Sequence, residues 1–166
     1  MSRVITTAAA VVIGAAMAAA AAGTATGTFT VKGKPTKLAH AYATAKPDLS
    51  DKTKTKEEVE VTLTDVPLDA AVLNDPTPFG LGDLAKANKL HGIRFSVSPD
   101  KAVTGTLMYD AAFGMRIVSV AGTYIKLDLQ TFNKTTVAGK LYTSKPLDFN
   151  DVPFEYSISF NAPITR

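Results

Sequence analysis

His40, Tyr42 and His91 bring the only combination of imidazole and phenol chemistry that stands out in this 166-residue chain, which has two His, no Cys and no Trp. Imidazoles ligate metals and carry protons near neutral pH, and a phenol beside them can donate or accept a hydrogen bond. Zinc hydrolases set two His one helical turn apart, as His-Glu-x-x-His, so that both reach one ion. Here the pair is separated by about fifty residues and lacks that spacing. Strands distant in sequence can still be neighbours, and a carboxylate such as Asp65 or Asp110 could complete a metal site. The alternative is a pair of ordinary hydrogen-bonded His at strand ends, with the Tyr42 ring in packing and its hydroxyl on one partner.

Other chemistries lack their parts. Covalent acyl transfer needs a Ser or Cys nucleophile beside a base, and the chain has neither Cys nor Gly-x-Ser-x-Gly. Ser96, Ser157 and Ser159 fall on strand faces expected to be wet. Gly80-Leu-Gly82-Asp-Leu-Ala85 satisfies the dinucleotide fingerprint formally. That motif works only after a strand in a parallel unit, and Thr77-Pro78-Phe79 is no such strand. Glycosidases pair two carboxylates beside aromatic platforms, which a chain without Trp does not suggest. Asp148, Asn150 and Asp151 could meet a calcium ion but read better as a polar turn. The expectation is a protein that is not an enzyme and carries no cofactor.

Arg3 precedes an apolar run from Ala8 to Ala22 with small residues continuing to Ala25. A basic start, a short apolar stretch and a small-residue exit describe a secretory signal peptide. A membrane span needs roughly 20 strongly apolar residues, and Ala is only weakly so. The expected division is a leader over 1–22, cut as late as 25, and one β-rich domain over 23–166. The protein is then exported to the periplasm or beyond the cell, with no stable membrane insertion once the leader is gone. A net charge of +3 on the whole chain is far from the dense basic face that nucleic acid requires. Without Cys, the exported domain must be held by burial alone.

The mature chain alternates apolar and polar residues at period two, the mark of strands with one dry and one wet face. The pattern is clear over Val59 to Leu63, Ile93 to Val97, Ile125 to Leu129 and Phe154 to Phe160. Weaker strands fit Thr28 to Lys32, Thr36 to Thr44, Val103 to Tyr109, Arg116 to Ala121 and Thr136 to Thr143. Turn residues join them at Lys32-Gly33-Lys34-Pro35, Pro99-Asp100-Lys101 and Asn133-Lys134. One or two short helices interrupt between Asp65 and Asn88, with Thr77 as cap, Pro78 as first residue and Asn88 as a left-handed terminator. The fold class expected is mainly β, an antiparallel β-sandwich or a strongly curved barrel-like sheet of about 8–9 strands, with the helical segment lidding one open end. Val103-x-Gly105-x-Leu107 is echoed by Val137-x-Gly139-x-Leu141, read as second strands of two similar hairpins with Gly at a bulge or close approach.

Lys37-Leu-Ala-His40-Ala-Tyr42-Ala, Lys89-Leu-His91-Gly92-Ile and Phe160-Asn-Ala162-Pro163-Ile164 resemble segments of an uncharacterised set of small exported bacterial β-rich proteins. The resemblance implies bacterial origin and export, and no functional residue. Three functional readings follow. The first is an exported non-catalytic module that binds a protein or small-molecule ligand through end loops or a sheet edge. The second is a metal-binding protein using His40 and His91. The third is a self-assembling surface subunit.

Overall fold

A segment with one apolar face is stable only when neighbours satisfy its backbone and another layer covers that face. The computed structural model meets both needs with a single sheet curled on itself into a half-barrel. It describes residues 22–166 apart from 49, 50, 54, 74, 76, 78, 116 and 121, so the expected leader, all but Ala22, lies outside the described residues. In chain order the elements are β1 (Gly23–Val31), β2 (Lys34–Pro47), β3 (Glu57–Thr64), α1 (Ala70–Leu73), α2 (Phe79–Lys86), β4 (Gly92–Val97), β5 (Val103–Tyr109), a 3₁₀ turn (Ala111–Phe113), β6 (Val118–Val120), β7 (Ile125–Phe132), β8 (Thr136–Thr143), β9 (Leu147–Phe149) and β10 (Val152–Thr165). Across the sheet the order is β6-β5-β4-β3-β2-β1-β10-β8-β7, with β9 paired to β10. All ladders are antiparallel except a short parallel contact, Ile164 opposite Ala43 and Thr165 opposite Thr44. Of the two architectures expected, the curved sheet is the one formed.

The curl wraps the inward face of every long strand around one core. Phe29, Leu63, Phe95, Leu141 and Ile158 are 0–1 % exposed there. Phe95 on β4 and Phe160 on β10 meet edge to face at 5.4 Å, linking strands that are far apart in sheet order. Phe113 in the 3₁₀ turn packs edge-on against Phe149 and Phe154 and joins the same core. Lys32 and Gly33, with φ of 51° and 73°, form the two-residue left-handed turn that suits the twist of a β1–β2 hairpin.

The helices do not lid an end of the barrel. Leu81 and Ala85 of α2 pack with Leu90 and Tyr109 in a second, smaller core, which Leu107 and Val66 flank. Leu107 and Tyr109 alternate with Met108, a member of the main core, so this cluster lies on the sheet's outer face. The layer dries residues that the alternation marks as wet: Thr62, Thr64 and Arg94 are only 4 %, 1 % and 4 % exposed. Arg94 Nε donates to Thr62 Oγ1 at 3.2 Å and lies 3.6 Å from Glu60 Oε1, which Lys46 Nζ meets at 2.6 Å. At the entry to α2, the Asp75 carboxylate accepts from the backbone and hydroxyl of Thr77, bonds that hold it below the usual carboxylate range. A Cβ on Gly80 would sit 2.9 Å from Asp75 Oδ2, a side-chain end that would have to shift. Asn88 ends the segment at φ 54°, as expected of a terminator. Among the described residues no helix is long and apolar enough to cross a membrane.

The echoed glycines sit opposite Ser96 and Leu129, each next to a register shift, in the β4–β5 and β7–β8 hairpins. They are not equivalent. A Cβ on Gly139 would fall 2.5 Å from the Asp128 carbonyl, whereas one on Gly105 would meet nothing within 4 Å.

Two buried phenols mark the packing for measurement. The Tyr109 and Tyr156 hydroxyls are enclosed without a hydrogen-bond partner among the described residues. Burial pushes Tyr109 up to about 12, the fields of Arg94 and Glu60 acting in opposite senses. Burial pushes Tyr156 higher still, and Thr106 from across the core offsets this in part without reaching hydrogen-bond geometry. A phenol whose folded pKa lies above its unfolded value of about 10 stabilises the fold below that pH and loses its contribution as pH rises to the folded value. Ionising Tyr109 within the fold costs about 3 kcal/mol. Alkaline titration followed by phenolate absorbance is therefore expected to leave two of the five tyrosines protonated until circular dichroism reports unfolding. Five phenols ionising together near pH 10 in a folded chain would contradict the packing.

Candidate functional site

The β4–β5 ladder sets His91 and Asp110 side by side. Gly92 lies opposite Tyr109, and the next residues outward on each strand are His91 and Asp110. His91 Nδ1 and Asp110 Oδ2 are 2.8 Å apart. Asp110 is 8 % exposed, and its second oxygen accepts from the Ala112 amide at 2.7 Å, capping the 3₁₀ turn. The carboxylate is thereby held from both sides, and it orients the imidazole with Nδ1–H donating. Asp65 secures the backbone: its Oδ1 accepts from His91 N at 2.8 Å, and its own amide donates to the His91 carbonyl at 3.1 Å. Both carboxylates considered for this His in the sequence thus contact it.

Nε2 of His91 has no hydrogen-bond partner among the described residues, and the ring borders a cleft of about 340 Å³ at this end of the sheet. Lys32, Lys34 and Thr36 of the β1–β2 hairpin line the same cleft, as does Asn88. Lys32 N donates to the Pro153 carbonyl at 2.9 Å, which pins the hairpin tip to β10. A buried carboxylate that fixes one ring nitrogen leaves the other available to a ligand in a defined direction, as in many metal and proton-transfer sites. Thr36 makes no hydrogen bond to the ring among the described residues.

The other two sequence candidates lie elsewhere. His40 is half-buried opposite Thr24 and Thr64, and Thr64 in turn faces Gly92. That register separates His40 from the strand of His91 by two ladder steps, about 10 Å. Tyr42 shares the parity of His40, and its hydroxyl accepts from the Leu68 amide at 2.9 Å beneath the helical layer. Its ring and hydroxyl therefore serve packing and one bond, the structural alternative stated for it. Among the described residues no group of three or more His, Asp or Glu is arranged to hold a metal ion. The Asp148 loop is a turn: Asn150 and Asp151 have φ of 50° and 63°, and Asp148 Oδ1 accepts from Asp151 N.

Lys32, Lys34, Thr36 and Asn88 were not singled out as site residues by sequence reasoning. Lys32-Gly33-Lys34 carries a turn signal, and only the sheet order brings that turn to His91. The chain matches no family model, no curated protein and no solved structure. Function is therefore argued from geometry.

Proposed function

We propose that the chain is an exported, non-catalytic binding module that holds a small carboxylate or phosphate in the cleft between the β1–β2 hairpin and His91. The observation that carries this reading is the imidazole held by Asp110 at 2.8 Å, its second nitrogen unbonded among the described residues, in a cleft that two lysines also line. Lys32 and Lys34 supply charge-assisted donors for anionic oxygens, and Nε2 accepts from a ligand hydroxyl or acid proton. Binding through end loops on a rigid sheet is the general pattern the arrangement follows.

Titrating the labelled protein with inorganic phosphate is expected to shift the amides of Thr36, His91 and Ala112 saturably. The Lys32→Ala/Lys34→Ala variant should bind about tenfold more weakly, as expected for loss of charge-assisted hydrogen bonds discounted for exposure. Equal affinity in that variant, or no saturable shift in the parent, would remove the proposal.

A further inference from the structure

The sheet does not close. Among the described residues β6 pairs with Thr106, Leu107 and Met108 of β5, and the β5 edge at Val103, Thr104 and Gly105 continues past its end. Across the gap runs β7, whose one ladder among the described residues is with β8. Between the two edges lies a cavity of about 250 Å³.

The backbone of β7 shows which groups face this gap. Ser144 N donates to the Tyr124 carbonyl at 2.9 Å, and the register runs on through Ile125 opposite Thr143. Bonded pairs alternate in an antiparallel ladder, so Tyr124, Lys126 and Asp128 point their amides and carbonyls at β8. Ile125 and Leu127 point theirs the other way. Ile125 N is taken by the Gly122 carbonyl, which among the described residues leaves the Leu127 amide and both carbonyls on the open edge.

Three further features describe what would fill the gap. Val103, Val120, Ile125 and Leu127 are partly buried and pack on the main core, so the floor is apolar. Thr106 also lines the cavity and is fully buried, and it acts on Tyr156 across the core. At the rim, Lys101 and Lys126 are exposed, while Asp128 lies opposite Lys140 within the β7–β8 ladder. An uncovered edge pair of this kind is a template for a strand, and natural edges are normally short, covered or charged.

We infer that this seam is a second binding site, one that receives an extended peptide as an added strand between β5 and β7. The three β5 residues beyond β6, two of them paired on their other side with Ser96 and Val97 of β4, set the length of the inserted piece at about 10 Å. Main-chain bonds to the Leu127 edge give affinity, an apolar side chain covers the floor, and outward acidic side chains meet Lys101 and Lys126. The partner is thus a segment alternating acidic and apolar residues. The site is separate from the His91 cleft and does not depend on what that cleft binds.

The test uses the whole domain and two blocked peptides, Glu-Val-Glu-Val-Glu and Lys-Val-Lys-Val-Lys, followed by amide shifts. The acidic peptide is expected to bind, to move Val103 to Gly105 and Ile125 to Leu127, and to slow hydrogen exchange at Leu127. Lys101→Glu/Lys126→Glu should reverse the preference, by about tenfold for two exposed charges inverted together. Leu127→Pro removes an amide that the β7–β8 ladder does not use, at a position where an edge strand tolerates Pro, and it takes with it the Leu127 side chain of the floor. It should weaken binding by about tenfold. If that variant does not fold, the charge reversal decides. Equal binding of the two peptides by parent and reversed variant, shifts confined to other strands, or no saturation would overturn the inference. So would self-association through β7 that excludes the peptide, which would favour a self-assembling subunit.

Discussion

A Gly27→Ala chain is expected not to fold. Gly27 has φ of 144°, and a Cβ built on it lies 2.1 Å from the Ser157 carbonyl oxygen and 2.7 Å from the Ile158 Cα. Both atoms are main chain of β10, so neither can swing aside as a flexible side-chain end would. They also belong to the β1–β10 ladder, which runs from Thr24 opposite Asn161 to Val31 opposite Phe154. Relief requires either breaking that ladder or moving two strands apart, at a cost of about 4 kcal/mol or more, a large part of a domain's whole stability. Gly105→Ala is the matched control, since the added methyl meets nothing within 4 Å. Thermal melts should show no cooperative transition for the first and a near-parental one for the second. A Gly27→Ala protein melting within a few degrees of the parent would show that β1 and β10 do not approach as described.

The second large effect is expected at Arg94. Its side chain is 5 % exposed, and its guanidinium serves Thr62 and Glu60 together. Arg94→Met keeps the apolar stem and removes the charge. Thr62 then loses its donor and Glu60 keeps only Lys46, at 2.6 Å. Removing one member of a buried ion pair costs 3–5 kcal/mol as a rule, and Lys46 sets this case at the lower end, about 3 kcal/mol. For a domain of this length that lowers the melting temperature by roughly 10 °C. Adding Glu60→Gln to Arg94→Met is expected to return part of the loss, because the leftover carboxylate is the main liability. A double variant less stable by the sum of the two single changes would mean that the groups are energetically independent.

The strands were legible in the residues because period-two alternation is a local signal. Val59 to Leu63 and Phe154 to Phe160 needed no information from elsewhere. β9, at three residues, is too short to carry a period. The outward sides of β3 and β4 were misread for a different reason. Thr62, Thr64 and Arg94 are polar, as a wet face demands, yet they lie under α2 and its neighbours. Polarity along a strand does not reveal whether a distant segment covers it, and here those side chains bond to one another or to backbone instead of to water. The position of the helical layer, outside the sheet and not across its end, is likewise a matter of packing between remote elements.

The candidate site divides the same way. His91 attracted attention by residue type, and Asp110 was a possible partner, but their contact depends on the register of β4 against β5. Lys32 and Lys34 read as turn residues because nothing local ties residue 32 to residue 91. His40 and Tyr42 had the same chemical appeal as His91 and ended on the other side of the sheet. The open seam was the least legible feature, since a free edge is defined by which strand is missing from a ladder.

The order of the sheet also governs how the polypeptide can assemble as it is made. β10, the last of the described strands to be synthesised, stands between β1 and β8 and joins them. Until it emerges, β1 to β6 and the β7–β8 hairpin have no ladder in common, and β1 offers a bare edge where β10 will dock. Completion is therefore a late, long-range event, slow by the entropy of closing so large a loop. A ribosome stalled before Val152 would leave two fragments of sheet joined only by the chain between Val120 and Ile125.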